Sequence, residues 1–268
     1  MRLIRFFDST NSVKYGSQRP DGSALLIEGD ILGNYTVTHQ VVAVKRVLAP
    51  IVPPAIICIG LNYRRHAAET GAKIPEFPVV FLKNPAAVQN PDDSIYIPQH
   101  LASTEVDYEA ELAIVVGRGC KNVSAAKAID CVLGFTCAND VSARDWQRQW
   151  GGSQWCRGKS FDTFCPLGPA IVTPDEVKDP NKLAISTTLN GQMMQQSNTA
   201  DMIFNVGQII AFLSGSTTLL PGTVILTGTP EGVGMARTPP VWLKPGDKVT
   251  VQIEGIGELS NPVALERA

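Results

Sequence analysis

The segment Val106-Asp107-Tyr108-Glu109-Ala110-Glu111-Leu112 sets acidic side chains at alternate positions. Side chains along a strand alternate between faces, so Asp107, Glu109 and Glu111 are expected together on one face. Neighbouring carboxylates repel one another, and burial raises their pKa values. Either water solvates such a face or a cation neutralises it. Taken alone, the segment reads as an exposed acidic edge. It runs, however, straight into the almost wholly apolar Leu112–Val116, a composition typical of sheet interiors. Asp140 follows a second apolar run, Phe135-Thr136-Cys137-Ala138, just before an expected helix start, where loops commonly carry functional side chains. Oxygen donors with no His or Cys beside them suit a hard cation. Mg2+ is the expected ion, because a few carboxylates, waters and substrate oxygens complete its octahedron; Mn2+ or Ca2+ could substitute.

The chain has three histidines, His39, His66 and His100, and only His66 has a companion. Glu69 lies three residues on, a spacing that brings both side chains to one face of a helix. A carboxylate there raises the imidazole pKa and orients the ring as a base, although a surface ion pair would show the same spacing. Lys159, in Cys156-Arg157-Gly158-Lys159-Ser160, is a second acid–base candidate, with a depressed pKa if its apolar flanks bury it. Alone it reads as an exposed lysine. Arg144 is expected one helical turn from Asp140, where its guanidinium could clamp a carboxylate through two hydrogen bonds. Leu226-Thr227-Gly228-Thr229-Pro230-Glu231-Gly232-Val233-Gly234 reads as a strand entering a glycine-rich loop. It lacks the phosphate-binding G-x-x-x-x-G-K-[ST] pattern, but its amides and hydroxyls suit a carboxylate.

These residues need elements to hold them. Ala55–Gly60 reads as a buried strand, followed by a short helix capped by Asn62 and stopped at Gly71. Val79–Leu82 is a second strand, ended by Lys83-Asn84-Pro85. Ser124 caps an expected helix closed near Gly134, and Ser142 with Asp145 matches a capping signature that places another helix start at Ser142. Met202, Ile203, Val206, Ile209, Ile210 and Leu213 follow helical spacing, the clearest amphipathic helix in the chain. Val224–Leu226 and Lys248–Ile253 are strands, with turns at Gly246-Asp247 and Gly255–Gly257. Short strands separated by Gly and Asp fill residues 1–52, and Pro50, Pro53 and Pro54 mark a boundary. The expected organisation is a small N-terminal β-rich domain over 1–52 and a catalytic domain over 53–268.

Of 268 residues, 44% are hydrophobic and 18% charged, enough for a real core. A formal net charge of -2 and the absence of basic runs give no reason to expect nucleic acid as a partner. No apolar stretch reaches the roughly 18 residues of a membrane span, and Arg5 and Asp8 interrupt what would be a secretory signal. No transit peptide is legible, so a cytoplasmic location is expected, or a mitochondrial one if a presequence has been removed. The six cysteines show no CxxC spacing and read as buried, reduced thiols.

In order along the chain, several segments together resemble the fumarylacetoacetate hydrolase superfamily. They are Gly60-Leu61-Asn62-Tyr63 with His66 and Glu69, Phe81-Leu82-Lys83, Asp107-Tyr108-Glu109-Ala110-Glu111 and Asn139–Asp145. Further on come Gly158-Lys159-Ser160-Phe161-Asp162, Leu167-Gly168-Pro169 and Thr227–Gly234. The likeness covers residues 55 to 264. Trp146, Gln147 and Phe161–Pro166 look closest to the eukaryotic subgroup named for fumarylacetoacetate hydrolase domain-containing protein 2.

The resemblance implies a mixed α/β, β-rich fold, with a β-roll catalytic domain and a small N-terminal β domain, assembled as a homodimer. It implies Glu109, Glu111 and Asp140 as Mg2+ ligands. His66 and Glu69 would be an acid–base dyad on a mobile lid. Lys159, Gln147 and Arg144 would line the substrate site, and Thr229 would contact the substrate carboxylate. The implied chemistry is on small 2-oxo or 1,3-dioxo carboxylic acids through a metal-stabilised enolate, with His66, steered by Glu69, and Lys159 moving protons. Keto–enol tautomerisation of oxaloacetate, with decarboxylation as a companion activity, is the first expectation. Carbon–carbon hydrolysis of an acylpyruvate is the alternative, and a non-catalytic binder on the same fold is the alternative of another class.

Overall fold

A computed structural model describes residues 1–267. Its centre is the strand Ala110–Val116, buried along its whole length. Ala113 and Val115 face one apolar cluster, while Leu112, Ile114 and Val116 face another. That two-sided burial is the physical reason for the continuous apolar run in the sequence. Val132–Asn139 pairs antiparallel on one side of it and Val224–Leu226 on the other.

The main sheet is twelve-stranded. Its path runs Tyr35–Val42, Ala24–Gly29, Val13–Gln18, Arg2–Phe7, Cys165–Val172, Val132–Asn139, Ala110–Val116, Val224–Leu226, Ile56–Gly60 and Val79–Lys83. The strands of residues 1–52 thus join the same sheet, through Arg2–Val172 and Leu3–Ile171 pairing. A five-stranded sheet, Gln192–Asn198, Ala184–Leu189, Lys248–Ile253, Gly257–Leu265 and Ile95–Ile97, covers one face. Ile185, Val251, Ile253 and Leu259 pack there with Leu112, Ile114 and Phe135. The β-rich mixed architecture expected from the sequence is the one observed.

The helices are few and short. Val206–Ser214 is the amphipathic helix, and it starts later than Met202 because Asn205 and Gln208 form a reciprocal capping box. Arg64–Glu69 is the short helix after the strand Ile56–Gly60, but Asn62 does not cap it. The Asn62 side chain donates instead to Phe204 O and Thr227 O, tying that turn to the neighbouring strand end. Residues 125–131 form a 3-10 helix without a side-chain cap from Ser124, and Gly134 sits inside a strand rather than closing the helix. The helix expected at Ser142 is also displaced. Ser142–Ala143 pairs as a strand with Val106–Asp107, and Asp145 caps a π-helix over Trp146–Trp150. Tertiary pairing outcompetes the local capping signature there. Among the described residues, no helix is long and apolar enough to cross a membrane.

Candidate active site

The site forms where two central strands begin and end. Ala110 pairs with Asn139 and Glu111 with Ala138. The Glu109 N–H donates to Asn139 Oδ1 at 2.9 Å, and the Asp140 N–H donates to Glu109 O at 2.9 Å. Chain segments thirty residues apart in sequence are thereby locked side by side. Carboxylate oxygens of Glu109, Glu111 and Asp140 lie within 4.8 Å of one another, all three residues buried.

Asp107 leaves the acidic face expected of it. Pairing breaks after Val106–Asp107 and resumes at Ala110. The Asp107 carboxylate instead accepts from Gly234 N–H (2.7 Å), Met235 N–H (3.0 Å) and Arg144 Nε (2.9 Å). It fastens the 228–236 loop and Arg144 to the strand end.

Two lysines enter the acidic cluster. Lys159 donates to Glu109 Oε2 at 2.8 Å and to Asp140 Oδ2 at 2.7 Å. Lys83 donates to Asp140 Oδ1 at 2.5 Å and to Val141 O at 3.1 Å. Lys159 is neither exposed nor pushed toward its neutral form. Burial acts to lower its pKa, but Asp140 and Glu109 outweigh burial and raise it. Burial likewise acts to raise Glu109, yet Lys159 and Arg144 overcome it and hold that carboxyl low, at about 2. Glu111 has no such cation in contact. Burial, then the charges of Asp140 and Glu109, push its carboxyl well above the usual range, against the Gly228 N–H that donates to it at 2.5 Å.

That last contact needs glycine at 228. Its φ is +99°, and a Cβ would stand 2.7 Å from Asn62 Cβ. Gly158 has a comparable role. A Cβ there would meet Gln147 N at 2.5 Å and Ala143 O at 2.6 Å, so glycine lets the Cys156–Lys159 turn press against the π-helix and bring Lys159 inward.

His66 faces the same space. Its Nδ1 is 2.7 Å from Glu69 Oε1, and both Glu69 oxygens accept from Gly232 N–H, at 3.1 and 3.0 Å. The helix is further held by Arg65, which pairs with Glu231 at 3.0 Å. Leu61, at φ +52°, makes the sharp turn between strand and helix.

The substrate-side residues converge with these. Arg144 is buried, its Nη1 2.7 Å from Glu109 Oε1 and 3.0 Å from Gln147 Oε1. Nη2 lies 2.8 Å from Asp107 Oδ2 but without hydrogen-bond alignment. Thr229 Oγ1 accepts from Gln195 Nε2 at 2.9 Å. A pocket of about 250 Å3 is lined by His66, Glu109, Glu111, Lys159, Arg144, Gln147 and Thr229, among others. Of the nine residues singled out in the sequence, these seven border the pocket; Glu69 and Asp140 stand directly behind His66 and Lys159. His39 and His100 are exposed and do not line it, and all six cysteines are free thiols.

Sequence reasoning gave no role to Lys83 or Gln195. Lys83 had a legible signal, since alternation along Val79–Lys83 puts it on the buried face with Phe81. Gln195 had none. It is buried in the second sheet, and its Oε1 accepts from Ala110 N–H and Thr187 Oγ1.

The acid triad suits a divalent ion. Its donors are all carboxylate oxygens, within one coordination span and shielded from water. The ammonium of Lys159 lies among the same oxygens, so a cation there meets the electrostatic demand of the site.

Residues 55–264 match the family model described as fumarylacetoacetate (FAA) hydrolase, C-terminal. An oxaloacetate tautomerase of Xenopus laevis, named as mitochondrial, is 51% identical over 217 residues, 81% of this chain and 67% of its own length. A fumarylacetoacetate hydrolase domain-containing protein 2 homolog of Dictyostelium discoideum is 50% identical over 227 residues, 81% of this chain and 74% of that one. A crystal structure named 5-carboxymethyl-2-hydroxymuconate delta-isomerase, from Mycobacterium smegmatis, superposes with a TM-score of 0.86 at 42% identity, covering 99% of this chain and 100% of that one.

Proposed function

The chain belongs to the fumarylacetoacetate hydrolase family of enzymes, and on that premise we propose that it interconverts the keto and enol forms of oxaloacetate. The observation that carries the reading is the meeting of His66, Lys159 and two members of the acid triad in one small pocket. A 2-oxo acid needs those parts: a cationic centre for its oxygens and an acid–base pair for the C3 proton.

In this reading Glu109, Glu111 and Asp140 would hold Mg2+, and the bound ion would supply Lewis-acid polarisation of the 2-oxo group. Glu69 accepts from His66 Nδ1, which leaves Nε2 as the free base. His66 takes a proton from C3, and the charged Lys159 gives one to the 2-oxo oxygen; the reverse transfers regenerate the ketone. Arg144 and Gln147 brace Glu109 and the pocket wall, and Thr229, oriented by Gln195, donates to the substrate carboxylate. Residues 53–267 contribute the whole pocket lining, while 1–52 buttress the sheet behind it. The chain would work as a homodimer and, as in the name of the Xenopus relative, in mitochondria rather than the cytoplasm.

The test is to add purified protein to enol-oxaloacetate and to acetylpyruvate, each with Mg2+ or with EDTA. Fast, EDTA-sensitive loss of the enol supports the reading. Cleavage of acetylpyruvate without enol turnover would move the assignment to carbon–carbon hydrolysis. Turnover of neither would overturn both, and turnover indifferent to EDTA would remove the metal.

A further inference from the structure

The cations that border the pocket differ in how far they are committed. Lys159 is shared between Glu109 and Asp140, and Arg144 among Asp107, Glu109 and Gln147. Arg148 also lines the pocket, yet it is exposed and has no ion pair or hydrogen bond among the described residues. It follows Gln147 on the π-helix, so one residue of that turn faces the buried side and the next reaches the rim. The turn is clasped by Trp146 and Trp150, edge-to-face at 5.1 Å, and Trp146 Nε1 donates to Ala102 O at 3.0 Å. A π-turn aims side chains that a regular helix would rotate away. Much of the remaining wall is apolar, including Ile59, Leu61, Phe81, Trp155 and Met235.

We infer that Arg148 is a specificity-determining residue that receives a second, distal carboxylate, so that the enzyme favours 2-oxo diacids over 2-oxo monoacids. This rests on the reading above, in which the 2-oxo oxygen meets the cationic centre at the acid triad and Thr229 takes one carboxylate. A diacid then carries a further negative charge away from that centre. Against an apolar wall that charge would lie desolvated and unpaired, unless a cation at the rim meets it. Arg148 is the uncommitted cation bordering the pocket among the described residues. Its exposed guanidinium is open to an incoming anion.

The experiment compares wild type, Arg148→Gln and Arg148→Lys in Mg2+. Binding of 3,3-difluorooxaloacetate, which keeps both carboxylates but has no C3 hydrogen to transfer, is measured by calorimetry beside oxalate, which lacks the distal group. Enol-oxaloacetate and acetylpyruvate kinetics run in parallel. Arg148→Gln should weaken difluorooxaloacetate, and raise KM for enol-oxaloacetate, by roughly tenfold, with a much smaller change for oxalate and acetylpyruvate. Arg148→Lys should recover part of the loss. Equal weakening of both ligands, or of neither, overturns the inference while leaving the tautomerase reading in place. If wild type fails to turn over enol-oxaloacetate but the binding difference persists, the tautomerase reading falls and the role of Arg148 stands. If wild type binds neither ligand, both are overturned.

Discussion

Lys83 and Asp140 form a buried ion pair at 2.5 Å, behind the acid triad, and Lys159 holds the other Asp140 oxygen at 2.7 Å. Asp140 is thus oriented by two ammonium groups from different elements. Lys83→Met would leave a buried carboxylate short of one partner. We expect a loss of about 3 kcal/mol in urea unfolding. Lys83→Met with Asp140→Asn should cost less than the sum of the single changes. Full additivity would show that the pair does not couple.

Glu111 is the triad member whose carboxyl is pushed up by burial and by its acidic neighbours. A carboxyl with a raised folded pKa binds more protons folded than unfolded. The Glu111 contribution to the stability of the ion-free protein should therefore be fully present below the ordinary Glu value of 4.5 and be lost as pH rises through the raised one. Glu111→Gln has no proton to lose, so its melting temperature should depend less on pH. Mg2+ should raise the melting temperature of wild type, and the same variant should lose that rise. A retained Mg2+ shift would take Glu111 out of the ligand set.

Removing Glu109 should be harsher, because Lys159 and Arg144 both lean on it. Glu109→Ala is expected to abolish Mg2+ binding by calorimetry with the fold retained by circular dichroism, and to lower stability in the ion-free state by about 3 kcal/mol. Retained Mg2+-dependent activity would refute the ligand role.

His66→Ala separates chemistry from ion binding. Its side chain pairs with Glu69 and with no triad carboxylate, so the Mg2+ shift in melting temperature should persist. Enol-oxaloacetate turnover should fall roughly 100- to 10,000-fold, the usual contribution of a positioned acid–base group. Wild-type rates from this variant would remove the dyad from the mechanism.

Gln195→Leu tests a positioning residue in the second sheet. The change strands the Ala110 N–H and frees Thr229 Oγ1 to rotate. A stability loss of about 2 kcal/mol is expected from the unsatisfied amide. A rise in KM larger than the fall in kcat would mark Thr229 as a binding group. An unchanged KM would limit Gln195 to structure.

The sequence by itself determined the ingredients whose physics is local. The apolar run Leu112–Val116 required a strand buried on both sides, alternation paired Glu109 with Glu111, and the spacing of His66 and Glu69 required only one helical turn. It also placed Lys83 on an inward face. Tertiary structure decided what depends on pairing between distant segments. The break after Asp107 sent that carboxylate to Arg144 and the 228–236 loop, and strand pairing at Ser142–Ala143 displaced the expected helix. Lys159 became a buried, charged partner of two acids because Gly158 lets its turn pack closely, and Gln195 reached Thr229 from another sheet. Local patterns fix which way a side chain points from its own element; only the packing of elements fixes which charges then share a space without water.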